Sequence, residues 1–216
     1  MRITYKPLKI GLLLGSFDPI HIGHMNIATC AINSKLCDKV LFVVAKQNPF
    51  KKEESTPFDI RCNMVFQAIL DADVELKKYQ ICKLEGDIEP PTYSYKVLEL
   101  IRKEYPCDDL FILCGSDTLN SMPYWKNYDT HIKPHFKNIC VLRGEHKQPS
   151  NGKPFEVKEE NGVIFITPIM LNVSSTLIRN MVKENMNPTP YVTDGVSNII
   201  KRYNLYKDND GREEGI

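Results

Sequence analysis

Short apolar runs alternate along the chain with segments of helical spacing. The runs are KIGLLLG (9–15), KVLFVVA (39–45), YQICKLE (79–85), DLFILCG (109–115), NICVLRG (138–144) and GVIFITP (162–168). Several carry Val, Ile or Phe on both faces and end in Gly or Pro, as strands buried on both sides do. Between them, Met25, Ile27, Ala28, Ala31 and Ile32 recur near a helical period, as do Val65 and Ile69, then Val97, Leu98 and Ile101. This alternation predicts an α/β fold: a doubly wound, mainly parallel sheet with right-handed crossovers and helices on both faces. After residue 168 the pattern is helical only, at roughly 174–185 and 194–203, which predicts a small helical C-terminal part from about residue 172. The polar segment 145–162, with two Pro and two Gly, reads as a surface loop or ragged hairpin. No internal repeat is visible.

The length of 216 residues fits one domain over 1–206, with a polar and flexible tail at 207–216. Twenty-eight Lys and Arg against 27 Asp and Glu leave a formal charge of +1, which argues against a nucleic-acid binder that relies on bulk basic charge. A phosphate pocket needs only a few donors and remains open. The seven cysteines are scattered without a CxxC pair, which fits neither a disulfide framework nor a zinc site. No signal peptide and no apolar run of about 20 residues is visible, so the expectation is a soluble, cytoplasmic protein without membrane partners.

Two stretches carry most of the chemistry. Gly15-Ser16-Phe17-Asp18-Pro19-Ile20-His21-Ile22-Gly23-His24 takes an apolar strand through a short loop into a helix start. Ligands of open parallel sheets sit outside the carboxyl ends of the strands, where this loop lies. A helix start favours anions, Gly15 and Gly23 let a phosphate chain approach the backbone, and His21 and His24 can project towards it from one side. Val173-Ser174-Ser175-Thr176-Leu177-Ile178-Arg179 predicts a second helix start, with Ser174 as N-cap and Ser175 and Arg179 on one face. Hydroxyls and a guanidinium there suit an oxyanion. Taken alone, each stretch also reads as turn glycines, satisfied histidines and a capped amphipathic helix.

GSFDPIHIGH resembles the (G/S)xFxPxHxGH signature of the HIGH-motif nucleotidyltransferases, and SSTLIR resembles the SSTxxR motif of nicotinate or nicotinamide mononucleotide adenylyltransferases. Both histidines are kept, so the chain is similar to the bacterial-type nicotinate mononucleotide enzymes. The resemblance implies a Rossmann-like fold and adenylyl transfer from ATP to nicotinate mononucleotide, giving deamido-NAD and pyrophosphate in NAD biosynthesis. It implies catalytic roles for His21, His24 and Arg179. Gly15, Ser16, Phe17, Gly23, Ser174 and Ser175 are then expected to bind nucleotide, with Mg²⁺ carried by the ATP rather than by a protein metal site.

Further segments fit the same family. Gly115 and Asp117 follow the strand DLFILC, and Asp117 inherits a role near the ATP; Arg143 matches an Arg of the VxxRxG segment. Trp125, the only tryptophan, inherits stacking on the pyridine ring, although a core Trp is the plainer reading. Thr92 and Tyr93 resemble the (S/T)YT segment that meets the pyridine carboxylate, yet an isolated TYS is also a helix cap. Lys51 resembles a lysine that touches the mononucleotide phosphate, while KKEE equally reads as a solvated charge run. Arg61 is a weaker carry-over that could only hold its helix. Three positions depart from the family: Leu14 narrows the first turn, Asn172 replaces Asp, and Thr193 replaces Pro and is expected to loosen the last helix.

The resemblance leaves nicotinate against nicotinamide mononucleotide open, as it does a homo-oligomer. A phosphopantetheine-type adenylyltransferase and a non-catalytic dinucleotide-binding module are the rivals. The spacing from Asp117 to Trp125 and the TYSY segment favour a pyridine mononucleotide.

Overall fold

The computed structural model describes residues 6–46, 56–72, 74–141, 155–168 and 173–207. Seven strands form one sheet: β1 (Lys9–Gly15), β2 (Lys39–Val44), β3 (Tyr79–Cys82), β4 (Asp109–Gly115), β5 (Lys137–Val141), β6 (Phe155–Glu160) and β7 (Val163–Pro168). Their order is β3-β2-β1-β4-β5-β7-β6. All neighbours run parallel except β6, which pairs antiparallel with β7 at one edge. Of the segment 145–162, expected as a loop or ragged hairpin, the described part is an edge strand, β6, which pairs with β7 beyond the segment; residues 145–154 lie outside the described residues.

Among the described residues, six α-helices accompany the sheet: α1 (Ile22–Asn33), α2 (Phe58–Asp71), α3 (Ser94–Glu104), α4 (Ser116–Ser121), α5 (Ser175–Lys183) and α6 (Asp194–Arg202). The pleat sends alternate strand residues to opposite sides. Leu13, Phe42, Val44 and Leu113 pack with the buried faces of α1, α2, α5 and α6, whereas Ile10, Leu12, Val43 and Ile112 pack with α3 and the segment around Met122 and Ile132. Two apolar layers on one sheet explain why the strands read as continuous apolar runs.

The sheet grows outwards from β1 in one direction and from β4 in the other. That switch leaves a crevice at the carboxyl ends of β1 and β4, where ligands of such sheets lodge. Two strand expectations were too long: β3 ends at Cys82 and turns into a 3-10 segment at Leu84–Asp87, and β2 ends at Val44. Thr193 does the opposite of loosening α6. It is the N-cap, and its hydroxyl accepts from Val196 N at 3.5 Å.

Candidate active site

Two adjoining cavities open at the switch point. The first, of about 270 Å³, is lined by Gly15, Ser16, Glu85, Thr92, Tyr93 and Trp125 among others; the second, of about 120 Å³, includes His21, Gly23, His24, Gly115, Asp117 and Val173. Leu14 and Thr118 line both and so mark the boundary between them. Residues from the two ends of the chain and from its middle thus meet around one crevice.

The loop from β1 to α1 is fixed from beneath. Phe17 has φ of +49°, a left-handed conformation that a bulky side chain adopts only when its surroundings enforce it. Its ring is buried and packs edge-on against Phe42 and against His24, with centroids 5.8 and 5.0 Å apart. Phe17 lies beneath the cavities and positions His24. At the helix start the His21 and His24 rings stack at 3.7 Å, and the His21 amide donates to His24 Nδ1 at 3.3 Å. An Nδ1 that accepts places the His24 ring proton on Nε2.

First-turn amides contribute less than the sequence suggested. Ile22 N donates to Tyr191 O at 3.0 Å and His24 N to His21 O at 2.9 Å. At this junction the imidazoles, more than those amides, are offered to an anion. Gly23 is required by space: a Cβ there would stand 3.0 Å from the His21 ring and from Val173 Cγ1. Gly115 is different. A Cβ there meets nothing within 4 Å, so the position opens onto the second cavity and leaves room for a ligand to approach the backbone.

The C-terminal motif docks on the outer side of the same loop. Ser174 caps α5 by accepting from Leu177 N at 3.2 Å. Ser175 Oγ donates to Pro19 O at 2.9 Å, and Arg179 Nη1 donates to Asp18 O at 2.9 Å. Ser174, Ser175 and Arg179 line neither cavity; Ser175 and Arg179 clamp the loop that carries the histidines, while Ser174 caps their helix. Asp117 lies in the first turn of α4 and lines the second cavity, while Gly115 is the N-cap.

Around the first cavity, Trp125 is half-buried beside Thr92 and Tyr93, whereas the neighbouring Tyr124 is 84% exposed and points elsewhere. Neither Thr92 nor Ser94 caps α3, whose N-cap is Tyr93 without a side-chain bond. Lys51, Arg143 and Asn172 lie outside the described residues. Among the described residues, no three His, Cys, Asp or Glu side chains cluster as a metal site, and no helix is long and apolar enough to cross a membrane.

The chain matches the cytidylyltransferase-like family over residues 12–181. It is 34% identical to the probable nicotinate-nucleotide adenylyltransferase of Clostridium tetani over 209 residues, 92% of this chain and 99% of that one. With the Cytophaga hutchinsonii protein of the same name the identity is 31% over 203 residues, 93% and 100% of the two chains. The chain belongs to the nicotinate-nucleotide adenylyltransferase family. The fold agrees with the nicotinic acid mononucleotide adenylyltransferase of Plasmodium falciparum complexed with NaAD, at a TM-score of 0.71 and 21% identity, covering 91% of this chain and 96% of that one.

Within this adenylyltransferase fold, several residues at the crevice carry no motif. Arg61 is 1% exposed and donates to four carbonyls: Thr56 O, Ser16 O, Ala45 O and Lys46 O, at 2.5–2.8 Å. It holds the segments after β1 and β2 rather than only its own helix. Burial pulls its guanidinium down from the usual range, and Asp18 is the first of the charges opposing that. Glu85 is buried in the wall of the first cavity; desolvation pushes its carboxyl up, and a hydrogen bond with Thr92 works against the shift. Lys126 lines the same cavity, with Nζ 4.3 Å from the Tyr93 ring centroid. For Arg61 the sequence offered only the weaker family resemblance; for Glu85 and Lys126 it offered no signal.

Proposed function

We propose that the chain, as a single domain, transfers the adenylyl group of ATP to nicotinate mononucleotide, releasing pyrophosphate and forming deamido-NAD. The observation that carries this reading is the pair of cavities sharing Leu14 and Thr118. One is walled by a tryptophan and a tyrosine suited to a flat ring, the other by two histidines suited to phosphate.

In this reading the ring and ribose of the mononucleotide occupy the first cavity and ATP the second. The mononucleotide phosphate is already an anion at neutral pH, so no protein nucleophile is needed. One of its oxygens attacks the α-phosphorus, the bond from that phosphorus to the bridging oxygen breaks, and pyrophosphate departs with the electron pair. The work left to the protein is positioning and charge stabilisation. His24, with its proton on Nε2, and His21 stabilise the charge that develops on the phosphates; Asp117 accepts from ribose hydroxyls; Arg179 and Ser175 hold the loop that aims the histidines at the phosphates. Asp117, the carboxylate lining the second cavity, would suit a Mg²⁺ held mainly by ATP oxygens and waters. That ion neutralises triphosphate charge when bound.

The test is pyrophosphate release from ATP, with and without nicotinate mononucleotide. Release that depends on the mononucleotide supports the reading. Release with phosphopantetheine instead, or none with either, refutes it.

A further inference from the structure

The first cavity carries a buried carboxyl on one wall and an ammonium on another. Glu85 is 6% exposed, and its carboxyl is bonded to Thr92, the residue at which the family resemblance would put the substituent of the pyridine ring. On the exposed rim stands Lys126, the residue directly after Trp125. Its Nζ sits over the Tyr93 ring at 4.3 Å from the centroid, a cation–π contact that holds the ammonium at the mouth of the cavity. The Trp125 amide donates to Met122 O at 2.9 Å and the Tyr128 amide to Trp125 O at 3.1 Å, so the turn presenting both side chains is braced on each side.

We propose that Lys126 is a specificity-determining residue: its ammonium pairs with a carboxylate on a pyridine ring stacked at Trp125, and so makes the site favour the acid mononucleotide over the amide. This rests on the reading of the first cavity as a pyridine site. A neutral amide gains little from an ammonium, whereas a carboxylate gains a charge-assisted hydrogen bond at a group already positioned. Because Lys126 is exposed, the preference weakens as salt is raised.

Trp125 is the only tryptophan, so its fluorescence reports ring binding without turnover. Wild type, Lys126→Met and Lys126→Arg are each titrated with nicotinate and with nicotinamide mononucleotide. The expected result is that Lys126→Met weakens binding of the acid by about tenfold or more and leaves the amide within about twofold, while Lys126→Arg keeps most of the preference. An unchanged acid-to-amide ratio in Lys126→Met, equal losses for both ligands, or no quenching of wild type by the acid overturns the proposal. Quenching that depends on Lys126 in a protein that transfers no adenylyl group would leave this inference standing and remove only the reading of the reaction.

Discussion

The Tyr206 hydroxyl donates to Asp18 Oδ1 at 2.6 Å, joining the end of the C-terminal helical part to the loop that precedes the two histidines. Asp18 is buried, accepts also from Thr56 N at 3.3 Å, and through its carbonyl receives Arg179. Burial and the neighbouring Asp18 push the Tyr206 phenol up, so it stays a donor. The loop is therefore held by three distant segments at one residue.

Tyr206→Phe removes one donor from the buried Asp18 carboxylate. The expected loss is about 1–2 kcal/mol of stability, read as a lower urea midpoint with an unchanged slope.

Arg61→Lys keeps the charge but cannot reach four carbonyls with one ammonium. With several buried acceptors left unmatched, the expected loss is about 3 kcal/mol or more. A midpoint close to wild type would mean that the carbonyls find other donors.

His24→Ala removes a ring that lines the second cavity and stacks on His21. Turnover with saturating substrates should fall by about 10² or more, as when a developing charge loses a positioned donor. A loss of only a few-fold counts against its role in the transition state.

Trp125→Ala should raise KM for the mononucleotide far more than KM for ATP, because the indole lines the first cavity and not the second. Equal rises in both would show that the indole supports the fold rather than the ring.

Glu85→Gln tests the buried carboxyl. Its folded pKa is raised above the unfolded value, so its contribution to stability is present at low pH and is lost as pH rises through the folded value. The stability of Glu85→Gln relative to wild type should therefore increase as pH rises above the ordinary glutamate range. A difference that does not change with pH in thermal melts would show that the Thr92 bond offsets the burial.

Much of the architecture was legible because its signal is local. Strands buried on both faces must be apolar throughout, so β1, β2 and β4 announced themselves, and Ser174 was readable as a cap because capping needs only a hydroxyl three residues before the amide it binds. The GSFDPIHIGH and SSTLIR stretches pointed to His21, His24, Ser175 and Arg179 for the same reason, a short arrangement with its chemistry in its spacing, although SSTLIR was expected to hold an oxyanion and here bonds the loop. Thr193 was misjudged because the family's Pro was weighed and the capping capacity of Thr was not.

The sequence by itself determined the strand–helix alternation, the nucleotide motifs and the candidates Trp125 and Asp117. Only the tertiary structure decided that Ser175 and Arg179 clamp the loop while His21 and His24 line the cavity, and that Arg61, Glu85, Lys126 and Tyr206 hold or line the loops around it. The physical reason is range. Periodicity, caps and motifs are set by residues within a turn or two of each other, whereas a guanidinium bound to the carbonyls of separate segments, or an ammonium over a ring some thirty residues away, depends on how the sheet brings loop ends together.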